Sequence, residues 1–298
     1  MYHGVNASGD TSINGRHLSA KRFDRHLKYL KKHFEILTLS DAFNEIGKPS
    51  NGKPRACITF DDGFENNLQY AAPLLKKHEV PATFYVSSVC VTEETDILWP
   101  DVVDLIARNR ASVEASGLEF SRVNGFMNEE IGMRLQDFIK AQDCEKRDEI
   151  ILELSDRYDL LKQKKEVNSE SWKLMTSAQV KQLSEFPQVE IGSHCHNHYN
   201  LASLSEANSQ RELVQSKKLL EGCIGQEVKT VAFPDGSYDA RVKAQAYEAD
   251  YSQLCAVSFK LTDDENDNRI VKRSAVSSTT NYYSNVIHFH KHFEKDGN

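Results

Sequence analysis

Two adjacent carboxylates close the run Ala56-Cys57-Ile58-Thr59-Phe60-Asp61-Asp62-Gly63. Asp is depleted inside strands, and a buried, unpaired carboxylate is costly. Asp61 and Asp62 should therefore sit where an apolar strand stops, and Gly63 lets the chain turn there. A second cluster, Ser193-His194-Cys195-His196-Asn197-His198, places three of the chain's eleven histidines within five residues. Imidazole is the commonest side-chain metal ligand. His194 and His198 are four apart, so one helical turn or a tight loop can aim both at one point. With one carboxylate they would supply two nitrogens and one oxygen, leaving an open position of the kind a catalytic zinc site keeps. The other carboxylate could then act as base on a water. The bland alternative is one Asp capping a helix, the other solvated, and histidines that ligate nothing.

Strands must carry these groups. The 56–60 run, rich in β-branched and aromatic residues, reads as a buried strand. After it Leu68, Ala71, Ala72 and Leu75 recur at helical spacing, with a kink expected at Pro73. Further strands are expected over Val80–Val86, Val189–Ser193, Lys229–Phe233, Gln253–Val257 and Arg269–Arg273, and Met1–Val5 looks like a strand end before a Gly4–Gly15 loop. Helices are expected over Lys21–Phe34, with Phe23, Leu27, Leu30 and Phe34 on one face, over Ser40–Ile46 with Ser40 as N-cap, and over Ser177–Glu185, Ser205–Ile224 and Asp239–Ala249. Strands alternating with helices indicate a parallel α/β sheet or barrel. Residues 98–171 are more charged, with helical patterns near Asp101–Arg108, Glu129–Ala141 and Glu145–Leu161. They read as a helical insertion within a single domain spanning 1–298.

The 37 basic and 44 acidic residues leave a net charge of −7, which argues against a nucleic-acid binder. The densest basic run, Lys162-Gln163-Lys164-Lys165, reads as a solvated helix end. The six cysteines show no CxxC pair, so they read as small core residues and not as a disulfide framework. No stretch has the length and apolarity of a membrane span, and no signal-peptide pattern is visible. The expected location is cytoplasmic, or exported if the chain was trimmed before Met1. Oligomeric state is left open.

The motif Thr59-Phe60-Asp61-Asp62-Gly63 resembles the first motif of the polysaccharide deacetylases, the NodB-homology or carbohydrate esterase family 4 group. Glu190-Ile191-Gly192-Ser193-His194 with His198 and Leu201 resembles their second, H-[ST]-x-x-H, with Cys195 in place of Ser or Thr. Ala232-Phe233-Pro234-Asp235-Gly236-Ser237-Tyr238-Asp239 is similar to their third, in its Y-P-x-G-x-Y-D form. The resemblance runs from Tyr2 to about Val276 and weakens across 98–171. It implies a distorted (β/α)7 barrel and removal of N-acetyl groups from an amino sugar in a glycan or glycan precursor. It also implies a divalent metal, zinc first, on Asp62, His194 and His198. Asp61 becomes the general base for the attacking water, and a backbone N–H near Asp235 holds the oxyanion. His196 and Cys195 are not expected to be ligands.

Three departures matter. The arginine of the common R-x-P-Y-G form is missing, since Val231 or Ala232 fills its slot. Arg273 is the expected substitute, its charge permanent and its donors forked. Asp235 replaces the common aromatic and adds negative charge near the cleft. No L-x-H motif supplies a catalytic acid, but Tyr2-His3-Gly4-Val5 resembles the Y-H-x-[IV] of the biofilm-polysaccharide branch. His3 is therefore the expected acid, with His288, His290 and His292 as alternatives. Tyr238, Trp99 and Trp172 are either core aromatics or sugar-stacking ones. The rival functions are a related amidohydrolase of a small cyclic amide or ureide, and a catalytically silent carbohydrate-binding barrel.

Overall fold

Short apolar segments buried on both faces suit a parallel sheet covered by helices. Six do so here in the order Thr59–Phe60, Ala82–Val86, Val189–Ser193, Thr230–Ala232, Gln253–Ala256, Ile270–Lys272, all parallel. This computed structural model describes residues 1–46, 48, 52–123, 125–278, 280 and 282–291, with the side chains of all but 287, 288, 290 and 291. The sheet curls until its edges meet across the N-terminal segment. Tyr2 N donates to Thr59 O at 2.8 Å and Asp61 N to Tyr2 O at 3.0 Å. On the other side Val276 N donates to Met1 O at 2.9 Å and the Met1 nitrogen to Ser274 O at 2.8 Å. Tyr2 thus acts as the seventh stave of a distorted (β/α)7 barrel, and His3 follows it at the same rim as Asp61.

Inside, Phe60 stacks on Phe84 with centroids 4.5 Å apart, and Tyr2 and Phe23 close around Phe60. Burying each such ring stabilises the fold by roughly 1.5–3 kcal/mol, and this floor holds the strand end that carries the two aspartates. Gly192 faces Tyr85 across the sheet. A Cβ there would lie 2.5 Å from Thr230 Oγ1 and 2.6 Å from the Tyr85 ring. Gly192→Ala is therefore expected to cost about 3 kcal/mol, at the upper end of overpacking effects. Urea unfolding with an unchanged slope would measure it, and a midpoint equal to the parent's would contradict it.

The helix Ala20–His33 buries Phe23, Leu27 and Leu30 as its spacing predicts. Pro73 falls in the first turn of Ala72–His78, and a π-helical turn, Asn67–Ala71, precedes it in place of a simple kink. The helix expected from Ser40 is Leu39–Asn44, capped by Thr38, whose side chain accepts from Asp41 N. Ser40 is diverted to the Glu190 carboxylate.

Residues 98–171 join two adjacent strands, Ala82–Val86 and Val189–Ser193. They form helices at Trp99–Ala107, Leu135–Lys140, Cys144–Arg157 and Leu160–Lys165. The wholly helical expectation fails in the middle. There Ser112–Ala115, Leu118–Arg122, Phe126–Asn128 and Met133–Arg134 form an antiparallel meander. Ser116 and Gly117, both at positive φ (54° and 78°), make the two-residue turn that starts it. Val113, Ala115 and Phe120 alternate inward with period two. We take 98–171 as an insertion into one barrel domain. Among the described residues no helix is long and apolar enough to cross a membrane.

Candidate active site

Asp62 and Gly63 both adopt positive φ, 77° and 94°. Two left-handed residues in succession turn the chain sharply off the strand, so both aspartates stay at the barrel mouth. For Asp62 this conformation is strained, a feature that concentrates at functional sites. Both side chains are buried. Arg273 grips Asp61 with both arms, Nη1 to Oδ1 at 2.6 Å and Nη2 to Oδ2 at 2.8 Å, while Nη1 also reaches Thr59 Oγ1 at 3.2 Å. Its guanidinium lies over the Tyr85 ring. The arginine expected from the last strand is therefore beside Asp61. Burial works to raise Asp61, but Arg273 and His194 outweigh it and hold the carboxyl below its ordinary value.

His194 Nδ1 donates to Ala232 O at 2.8 Å. A carbonyl only accepts, so Nδ1 carries a proton and Nε2 is the ring nitrogen that faces the cavity. Nε2 is 3.5 Å from Asp62 Oδ1, and His198 Nε2 is 3.3 Å from the same oxygen. One ligand atom from each of Asp62, His194 and His198 falls within 4.8 Å of the others, and all three residues are buried. Two imidazole nitrogens, one carboxylate and a carbonyl fixing one ring's tautomer suit a catalytic zinc-type centre. Burial alone would lower His194, yet Asp61 and Asp62 raise it above an ordinary imidazole, and the same negative field would attract a cation.

His3 has Asp62, Asp61, Arg16 and His194 as its charged neighbours, and burial pulls its pKa down to about 4. Asp235 stands in the left-handed region (φ 54°) after the Thr230–Ala232 strand, paired with Lys140 at 2.9 Å. Burial acts to raise it, but His198 and Lys140 bring it below its ordinary value. His292 and the side chains of His288 and His290 lie outside the described residues. Tyr238, Trp99 and Trp172 are buried, so they belong to the core and not to a sugar platform. Trp99 Nε1 donates to His198 O at 2.9 Å, which ties the 98–171 segment to the histidine loop. Cys195 and His196 are buried beside the histidine pair.

The sequence reading missed Arg16 and Asp101. Arg16 Nη1 donates to Asp62 Oδ2 at 3.1 Å, leaving Oδ1 toward the histidines. Its other donors hold Asp101 Oδ1 and, at 3.0 Å, Asn14 Oδ1. Burial would raise Asp62, but Arg16 and the two histidines leave it well below an ordinary carboxyl. Asp101 carried a signal, an acid inside the apolar run Leu98-Trp99-Pro100-Asp101-Val102-Val103. Arg16 carried none, because a loop residue's reach is not written in its neighbours.

The family profile described as polysaccharide deacetylase matches residues 48–254. Bacillus subtilis (strain 168) YxkH, a relative named for that family, is 26% identical over 147 residues, covering 48% of this chain and 50% of the relative. A Staphylococcus aureus (strain MSSA476) poly-beta-1,6-N-acetyl-D-glucosamine N-deacetylase is 33% identical over 88 residues, 29% of this chain and 30% of the relative. The chain thus spans half or less of the length of these curated relatives. The structure of Streptococcus pyogenes deacetylase PplD in complex with acetate superimposes with a TM-score of 0.62, covering 97% of this chain and 95% of that one at 15% identity. At that identity the likeness speaks for the fold.

Proposed function

Because the chain belongs to the polysaccharide deacetylase family, we propose that it is a metal-dependent N-deacetylase of an acetylated amino sugar in a polysaccharide or glycan precursor. The observation that carries this is the convergence of Asp62, His194 and His198 with Asp61 held beside them by Arg273. A divalent cation on the three ligands, zinc first, would supply Lewis acidity toward a water or the acetamide carbonyl.

The protein's own groups do the rest. Arg273 occupies both Asp61 oxygens but not all their lone pairs, and Oδ2 faces the cavity 4.0 Å from His194 Nε2. Asp61 takes a proton from the attacking water there, as a carboxylate kept ionised by its arginine. The Asp235 N–H, in the loop facing His198, stabilises charge as it develops on the acetamide oxygen. His3 is neutral in the resting site at pH 7. It must first take up a proton before it can pass one to the departing amine, and the proton that Asp61 removes from the attacking water balances the one so delivered.

The relative acting on poly-β-1,6-N-acetyl-D-glucosamine makes that polymer the first substrate to try. Acetate release should be measured on its oligomers, on other acetylated glycans and sugar nucleotides, and on cyclic amides, with and without chelator. The expected result is release from an acetylated glycan that stops with chelator and returns with zinc. Turnover of cyclic amides alone would assign the amidohydrolase activity. Saccharide binding without acetate release from the metal-replete protein would assign a silent barrel.

A further inference from the structure

The helix Glu206–Ile224 buries one face, and of its three polar inward residues two, Glu212 and Ser216, turn to the histidine loop. Glu212 is only 4% exposed. Its Oε2 accepts from His196 N at 3.0 Å and Asn197 N at 2.8 Å, and its Oε1 accepts from Asn197 Nδ2 at 2.9 Å. One turn on, Ser216 Oγ donates to Cys195 O at 2.9 Å and lies 2.8 Å from Ser193 Oγ, which itself accepts from Cys195 N at 3.1 Å. Glu212 and Ser216 are four apart, so both reach the same loop from one helix face. Between them they engage the backbone that separates His194 from His198.

That backbone needs holding. Cys195 and His198 have φ of 61° and 58°, left-handed values that non-glycine residues rarely adopt. Such conformations persist only where the surroundings over-determine them. Three N–H donors converge on Glu212, and a carboxylate is the acceptor-only group able to receive all three. An amide of the same shape would turn its own N–H groups against them.

We propose that Glu212, assisted by Ser216, is the positioning device of the histidine pair, fixing residues 195–197 so that the Nε2 atoms of His194 and His198 converge before a cation arrives. Glu212 is not in the ligand set and acts through the loop. The inference rests on the metal-hydrolase reading above.

The test uses the full-length protein stripped of metal, as parent, Glu212→Gln and Ser216→Ala. Zinc is titrated by calorimetry. Cobalt(II) is added separately, and its visible d–d absorption reports ligand geometry. Circular dichroism and melting of the metal-free forms give the folded fraction. Glu212→Gln should bind zinc about 10- to 100-fold more weakly, the usual effect of losing an outer partner of a metal ligand. Its cobalt spectrum should change in intensity. Ser216→Ala should lose about 10-fold, at the small end of such effects. A merely structural role would lower the melting temperature while leaving the folded protein's zinc affinity and cobalt spectrum like the parent's, and that outcome overturns the proposal. If Glu212→Gln does not fold, Ser216→Ala decides by the same two readouts. A parent that binds neither ion overturns the metal-hydrolase reading itself, and the positioning role with it.

Discussion

Asp61→Asn should lower turnover by about 10²–10⁴-fold, the range a positioned general base contributes, while zinc still binds within a few-fold of the parent. The two halves of that expectation come from different contacts. His194 Nε2 and His198 Nε2 lie 3.5 and 3.3 Å from Asp62 Oδ1, whereas Asp61 approaches the cavity no closer than 4.0 Å from His194 Nε2. Asp61 is thus beside the proposed ligand set and outside it. Asparagine keeps the shape and loses the basic oxygen. It also turns an amide N–H toward one arm of Arg273, so the variant should melt earlier, and turnover must be compared on folded protein. A variant that binds zinc and turns over within tenfold of the parent would remove Asp61 as the base.

A metal site is legible in sequence when its ligands are chemically unusual for the element they end. Asp61 and Asp62 stand after an apolar strand, His194 and His198 after another, and Arg273 after the last. Strand order then brings three strand ends to one rim, so five site residues were readable from type and place alone or with the family motifs. His3 was readable only through its motif, because a residue so near the terminus has too little context to show a stave. The Arg16 contact to Asp62 was not readable: it joins a glycine-flanked loop to a strand end forty-six residues away, and no local period encodes that reach. The meander within 98–171 was missed for a different reason. Its strands are two to five residues long, too short for alternation to outweigh the helical pattern around them. At Thr38 and Ser40 two good capping residues compete, and only the pull of Glu190 on Ser40 decides between them.

Each buried carboxylate of the pair has its own arginine, Arg273 for Asp61 and Arg16 for Asp62. Two adjacent buried acids would otherwise drive one pKa upward. Here both lie below the ordinary carboxyl, although burial opposes that in each case. The two arginines differ in what they leave free. Arg16 takes one oxygen of Asp62 and leaves the other to the histidines, which suits a ligand. Arg273 takes both oxygens of Asp61 in a planar fork, which fixes a base in one orientation.

Arg273→Gln should therefore do more than loosen a contact. With the fork gone, burial is left to dominate Asp61, and its pKa should rise above the ordinary carboxyl value. The acid limb of kcat, set in the parent by a depressed carboxyl, should move to higher pH by at least about one unit, each unit corresponding to about 1.4 kcal/mol of altered interaction. The loss of activity should be larger at pH 6 than at pH 9. Stability follows the same linkage with opposite signs in the two proteins. The depressed Asp61 of the parent adds stability above the unfolded carboxyl pKa of about 3.9, and that stability is lost as pH falls through the folded value. The raised Asp61 of the variant costs stability progressively as pH rises from the unfolded pKa to the folded one, and the full cost remains at every higher pH. The parent should accordingly exceed the variant by about 3–5 kcal/mol near neutrality, as for a buried ion pair losing one partner, and the gap should narrow on acidification. Arg273→Lys should fall between them, since one ammonium keeps the charge but cannot reproduce the two-armed grip. Urea unfolding at several pH values, beside pH–rate profiles, measures both effects. A variant with the parent's acid limb would mean that something other than Arg273 keeps Asp61 ionised, and would remove Arg273 as the group that sets the state of the base.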